Sequence, residues 1–371
     1  MARALFFYSD ALLHYDMGPQ HPLKPQRLRM TYDLLASYGV FESGLEVVAP
    51  SLAPWEDVIA VHSQDYLEAI SRLSSGDRFP GAYRYGFGSG DNPIFPDMYE
   101  ASLRYTGGSL DAAQAILDGG RVAFNISGGL HHAHYDRAAG FCILNDPAVA
   151  IHRLRKKFAR VAYVDIDVHH GDGVQELFYS DPTVLTISLH ESGRTLFPGT
   201  GYTDEIGVGE GEGYSVNVPF APYTTDPIWI EAWREAALPI LKAFDPEAIL
   251  LQMGTDTHVL DPLAHLCLTA QGWLEAVKDV QALGKPIVAV GGGGYNLTTV
   301  PRMWTLAVST LAGLNLPDDV PASYSHRRDI PTLTDHAEID MDDTYLQQAR
   351  AIAAQSVNEV RKLLFPRYGL T

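Results

Sequence analysis

Arg160-Val161-Ala162-Tyr163-Val164-Asp165-Ile166-Asp167-Val168-His169-His170-Gly171-Asp172-Gly173 is the stretch around which this chain of 371 residues reads. Its first half is apolar and β-branched, the composition of a strand buried on both faces of a parallel sheet. Asp165, Asp167 and His169 then occupy alternate positions, and alternation along a strand puts all three side chains on one face. Gly171 and Gly173 end the run. Sites in open α/β sheets gather outside the carboxyl ends of the strands. Two carboxylates and an imidazole are therefore expected at one sheet edge, with His170 and Asp172 just beyond. A buried polar network, or a helix cap at Asp172, is the plainer reading. It is the weaker one, because a buried carboxylate is costly unless it is paired or holds a metal.

Outward from this stretch, strand and helix patterns alternate. Strands are expected over 4–8, 47–48, 121–126, 183–189, 216–218, 248–252 and 286–290. Helices are expected over 25–38, 54–60, 63–73, 96–117, 147–158, 172–178, 227–244, 269–283, 300–311 and 343–364. The β-then-α order predicts an α/β fold: a single domain, 1–371, with a central mostly parallel sheet and helices on both faces. Its core spans about 1–315. A Pro- and Asp-rich segment from 316 to 341 and the last helix complete the surface. The loop over 74–96 mixes glycines with Tyr83, Tyr85 and Phe87. It is expected to be ordered, surface-facing and functional.

The net charge of −18 argues against non-specific nucleic-acid binding. Cys142 and Cys267 form no disulfide framework, which favours a reducing, cytoplasmic setting. No apolar run approaches the length of a membrane span, and the first residues lead into a strand without the features of a signal peptide.

Further strand ends carry chemistry. The strand at 121–126 leads into Ser127-Gly128-Gly129-Leu130-His131-His132, the strand at 248–252 into Met253-Gly254-Thr255-Asp256, and the strand at 286–290 into Gly291-Gly292-Gly293-Gly294-Tyr295. In a parallel sheet these ends lie along one edge and can converge. Two carboxylates and one imidazole are a ligand set that leaves an open position on Zn2+, the pattern of catalytic zinc. A histidine nearby supplies general base and acid. A tyrosine hydroxyl on a glycine tetrad, read here as a mobile base, can donate to a developing oxyanion. Asp165 and Asp172 are placed to orient the histidines. This is equipment for metal-assisted amide hydrolysis. The glycines at 207–213 open no helix after a strand and those at 291–294 lack the Lys-Ser/Thr of a phosphate loop, so both are read as plain loops.

The motifs HPLKPQRLRM, GGLHHAHYDRAAGFCILND, YVDIDVHHGDGV, TISLHESGRTLFPGTG, GTD at 254–256 and GGGGYNL resemble the zinc-dependent histone deacetylase family, within the arginase/deacetylase fold. The likeness spans about 5–315. HESGRTLFPGTG looks most like the bacterial acetoin-utilisation deacetylases of the AcuC type, relatives of the class I enzymes. The resemblance implies hydrolysis of N-ε-acetyl-lysine in proteins, with acetylated acetyl-CoA synthetase as a candidate partner. By it, Asp167, His169 and Asp256 hold Zn2+. His131 and His132 are the paired active-site histidines, with Asp165 and Asp172 as their carboxylates and His132 as the base. Tyr295 polarises the acetyl carbonyl. Gly140, Phe141 and Phe197 line the acetyl-lysine tunnel, Leu263 lies at its rim, and Asp91 holds substrate backbone amides. Arg27 lines an internal channel for acetate, whereas Arg29 reads as a solvated helix arginine. Structural K+ or Na+ is implied at Asp165, Asp167, His169, Ser188 and Leu189, and at Phe178, Asp181, Val184 and Tyr214. An Asp181 side chain pointing inward would alter the charge at the second ion.

Three other readings share parts of this pattern. An acetylpolyamine amidohydrolase has the same site, but no long insertion precedes His131 to narrow an entrance. A two-metal ureohydrolase needs more carboxylates than Asp256 and the next acid, Asp261, provide. A non-enzymatic binding module does not require all the ligands, histidines and tyrosine to be intact.

Overall fold

The computed structural model describes residues 4–88 and 90–371. Met1, Ala2 and Arg3, and Ser89 within the 74–96 loop, lie outside the described residues. Eight strands form one sheet: β1 Ala4–Phe7, β2 Leu45–Val48, β3 Val122–Asn125, β4 Val161–Asp165, β5 Val184–Glu191, β6 Ser215–Phe220, β7 Ala248–Gln252 and β8 Ile287–Val290. Their order is β2-β1-β3-β8-β7-β4-β5-β6. Every neighbouring pair is parallel, so the expected mostly parallel sheet is parallel throughout.

Every residue of β4, VAYVD, and of β7, AILLQ, is buried. Successive side chains point to opposite faces, so both faces of the sheet's centre are covered, and the apolar run of the opening stretch follows from that. Helix starts follow local capping: Ser63, Asn145 and Thr269 accept hydrogen bonds from the amides of Tyr66, Ala148 and Gly272. Each such cap is worth about 1 kcal/mol.

Several expectations change in detail. The central strand stops at Asp165, so strand alternation does not carry Asp167 and His169. The helix expected from Pro96 begins at Met98, behind a left-handed Asp97. The 227–244 helix contains a π turn at Trp233–Ala237. In the 74–96 loop a 3-10 turn spans Ala82–Tyr85, and Phe87 is buried while Tyr83 is exposed. The 316–341 segment adds a small core of its own: Val320, Tyr324, Ile330 and Leu333 pack around Leu34.

Candidate active site

The sheet order puts β3, β8, β7 and β4 side by side. These are the four strands whose carboxyl ends lead into His131-His132, Tyr295, Asp256 and Asp167-Val168-His169. The chain separates these groups widely; the sheet makes them neighbours.

Past Asp165 the backbone leaves the strand in turns held by its own carboxylates. The Asp167 amide donates to Asp165 Oδ1 at 3.1 Å, and the His169 amide to Asp167 Oδ1 at 2.9 Å. The Val168 amide donates to Asp256 Oδ1 at 2.9 Å, tying the ends of β4 and β7. Asp167, His169 and Asp256 are buried, and one ligand atom of each lies within 4.8 Å of the others. His169 Nδ1 is 3.0 Å from Asp256 Oδ2 and 3.2 Å from Asp167 Oδ1. Burial, and then the Asp167 charge, pushes the Asp256 carboxyl up to about 6. Two buried carboxylates at this range favour a cation between them, and two oxygens plus one imidazole suit Zn2+ with a coordination position left open. Backbone walls the group: a Cβ on Gly293 would lie 1.9 Å from Asp256 Oδ2, and one on Gly254 2.1 Å from Asp167 Oδ2.

Beside this group stand the two histidines. His131 Nδ1 is 2.7 Å from Asp165 Oδ2, and His132 Nδ1 is 2.7 Å from Asp172 Oδ1. Their Nε2 atoms are 3.0 Å apart. Burial alone would lower the His131 pKa, but the Asp165 and Asp167 charges outweigh it and raise it to about 9. Burial and then the adjacent His131 pull His132 down to about 4. Asp172 also faces His134 Nε2 at 3.4 Å, whose Nδ1 meets Glu176 at 2.6 Å. Asp165 further accepts from the Tyr163 hydroxyl at 2.7 Å.

Tyr295 packs edge-on to His169, centroids 6.5 Å apart, and to Phe141 at 5.7 Å. Burial and the Asp256 and Asp167 charges hold its hydroxyl well above the usual pKa, so it keeps its proton. The glycine tetrad is a loop, as expected, but a pinned one. A Cβ on Gly291 would lie 2.1 Å from the Ile126 carbonyl and one on Gly292 2.3 Å from Gln252. Glycine here serves close approach rather than freedom of movement. Arg27 Nη1 donates to the carbonyls of Gly292 and Gly294 at 2.7 and 3.1 Å, and its guanidinium stacks on Trp304. Arg27, Leu23, Cys142 and Tyr295, together with His131 and His132, line a cavity of about 20 Å³ at the site. Arg29 is exposed and pairs with Asp10 and Asp33.

The residues expected at the passage and its rim have the following neighbours. Phe197 is exposed, and its ring stands edge-on to His132 at 4.9 Å. Gly140 lets the chain pass His132: a Cβ there would lie 2.4 Å from its ring and 2.8 Å from Phe197. The Leu263 amide donates to Asp261 Oδ1 at 3.0 Å. Asp91 is exposed, and its carbonyl lies 3.2 Å from His21 Nε2.

At the first suggested cation position, Asp165 pairs with Ser188 across β4 and β5, with Leu189 next. At the second, the Asp181 amide donates to the Phe178 carbonyl, the Val184 amide to the Asp181 carbonyl, and the Thr186 amide to the Tyr214 carbonyl. The Asp181 carboxylate is engaged elsewhere, by Thr183 and Arg155.

Three supporting residues escaped the sequence reading. Gln252, the one polar residue of β7, donates to Asp167 Oδ2 at 2.8 Å; a polar end on an apolar strand was its only signal. Asp146, just ahead of the helix expected over 147–158, accepts from the amides of Gly129 and Leu130 ahead of the histidines. Asp261 accepts from the Tyr295 amide at 2.8 Å.

Residues 21–311 match the histone deacetylase domain. The chain is 41% identical to the acetoin utilization protein AcuC of Bacillus subtilis over 334 residues, 87% of this chain and 86% of that protein. It is 36% identical to the histone deacetylase clr6 of Schizosaccharomyces pombe over 369 residues, 97% and 90% of the two chains. It is 39% identical to histone deacetylase 9 of Arabidopsis thaliana over 320 residues, 85% and 75%. With its parallel eight-stranded sheet in the arginase/deacetylase arrangement, the chain belongs to the histone deacetylase family.

Proposed function

We propose that this chain hydrolyses the acetyl amide of N-ε-acetyl-lysine in proteins and releases acetate. The observation that carries the reading is a single juxtaposition: two carboxylate-backed histidines beside the Asp167, His169 and Asp256 group, with Tyr295 packed on His169. Asp167, His169 and Asp256 would hold one Zn2+. When bound, that ion polarises the amide carbonyl and makes water nucleophilic near neutral pH.

The remaining work falls to side chains of this chain. His132, steered by Asp172, takes a proton from the attacking water and returns it to the departing lysine amine. His131, held by Asp165, supplies positive charge beside the reacting carbon. The Tyr295 hydroxyl donates to the oxyanion; removing one such donor costs about 10²–10³ in rate. Phe141, Phe197 and Gly140 form the passage for the aliphatic lysine stem and exclude water from it. Leu263 and Asp91 form the rim, Asp91 accepting from substrate amides, and Arg27 faces the cavity for acetate.

Structural K+ or Na+ at the Asp165 and Phe178 positions, a cytoplasmic setting and one catalytic domain over the whole chain belong to the same reading. Acetylated acetyl-CoA synthetase is the candidate substrate that the acetoin-utilisation likeness suggests. Among the described residues no helix is long and apolar enough to cross a membrane. The test is acetate release from an acetyl-lysine peptide before and after chelation, with Zn2+ restored. Activity lost and regained supports the reading. Turnover of acetylpolyamines alone would move the substrate class, and no turnover of either by zinc-loaded protein would overturn it.

A further inference from the structure

Phe141 carries its ring on a left-handed backbone, with φ at +71°. Bulky residues rarely take that conformation, and it persists only where the surroundings over-determine it. Two side chains do so here, one at each end of the residue. The Phe141 amide donates to Asn92 Oδ1 at 3.0 Å, and the Phe141 carbonyl accepts from the Tyr15 hydroxyl at 2.7 Å. Asn92 and Tyr15 are both buried, at 4% and 8% exposure. The preceding Gly140 is also left-handed, at +50°. These two residues turn the chain where it passes His132.

Asn92 also belongs to the loop that carries Asp91. Its side-chain amide donates to the Gly86 carbonyl at 3.3 Å, and its own carbonyl accepts from the Gly88 amide at 3.2 Å. The Asp91 carbonyl faces His21 Nε2, and the His21 ring stands edge-on to Phe141 at 4.5 Å. One carboxamide therefore joins the rim loop to the strained wall residue.

We propose that Asn92 is a positioning residue for substrate: its carboxamide holds Phe141 in the left-handed conformation and locks the Asp91 loop to the wall of the acetyl-lysine passage. The proposal rests on the deacetylase reading above. Asn92 touches no reacting atom, so its effect falls on binding. A rim fixed in advance spares the substrate the entropy of ordering it.

The test is steady-state kinetics of the zinc-loaded full chain on an acetyl-lysine peptide. Asn92→Ala leaves the Phe141 amide without its buried acceptor, which is expected to raise KM about tenfold with kcat within about threefold. Tyr15→Phe removes the other restraint without altering the packing and is expected to raise KM about fivefold; it carries the test if Asn92→Ala does not fold. Unchanged KM in Asn92→Ala or Tyr15→Phe, or a loss confined to kcat, would each overturn the proposal. Those results leave the parent enzyme active. A parent that releases no acetate overturns the deacetylase reading itself, and this inference with it.

Discussion

Gly293→Ala tests the geometry of the Asp167, His169 and Asp256 group through one added methyl. Gly293 lies outside the left-handed region, so alanine is conformationally allowed there. The cost comes from the Cβ, which would sit 1.9 Å from Asp256 Oδ2 and 2.9 Å from Asp167 Oδ2. Ordinary contact begins near 3.4 Å, so relief takes the Asp256 carboxylate about 1.5 Å from its place. The loop cannot easily retreat instead, because the Gly293 amide donates to Asp167 Oδ2 at 2.6 Å and its carbonyl accepts from the Thr255 amide at 2.9 Å. Metal sites tolerate ligand shifts of about 0.2 Å. Perturbing even the groups that orient ligands costs about 10–100-fold in metal affinity, so a displaced ligand is expected to cost about 100-fold or more. Competition for Zn2+ against a chromophoric chelator, with folding checked by circular dichroism, measures it directly. Parental affinity in folded Gly293→Ala would refute the assignment of these three residues as the metal group.

Tyr295→Phe should keep its metal and lose about 10²–10³ in kcat, as judged by acetate release beside metal analysis. Asp261→Asn leaves one acceptor oxygen for the amides of Leu263 and Tyr295. It should lower kcat about tenfold at parental zinc affinity, and an unchanged kcat would remove Asp261 from the clamp on Tyr295. Burial alone would lower the His134 pKa, but Asp172 and Glu176 raise it to about 9. A raised imidazole stabilises the fold fully below its unfolded value near 6.5, and that contribution is lost as pH rises through about 9. Denaturant unfolding at pH 6 and pH 10 should show about 1–2 kcal/mol of this dependence, discounted for the exposed Glu176 partner, and His134→Gln should abolish it.

The site was legible where chemistry is local in the chain. Asp165, Asp167 and His169 announce themselves because carboxylates in an apolar strand need a partner, and His131-His132 because they follow a glycine turn at a strand end. The reason Asp167 and His169 share a face was misread. The strand stops at Asp165, and beyond it side-chain to backbone hydrogen bonds join the few remaining backbone links to β7 and β5. The Gly291–294 run was also misjudged, because glycine licenses either mobility or close approach, and only the neighbours decide. Gln252, Asp261 and Asn92 act through contacts spanning tens of residues of sequence. No spacing rule predicts those. The α/β class was readable from the alternation of patterns, but the placement of β8 between β3 and β7 has no local signature.

That placement has a consequence for how the protein is made. Among the described residues β8 is the last strand in chain order, and it is the one bonded to both β3 and β7. Without it the sheet falls into two ribbons, β2-β1-β3 and β7-β4-β5-β6. The histidine pair follows a strand of the first ribbon, and Asp167, His169 and Asp256 follow strands of the second. A nascent chain that has not yet released residues 287–295 from the ribosome lacks the strand that unites the histidine pair with the Asp167, His169 and Asp256 group. The arrangement proposed for hydrolysis is therefore complete only once β8 has paired with both ribbons and brought Tyr295 with it.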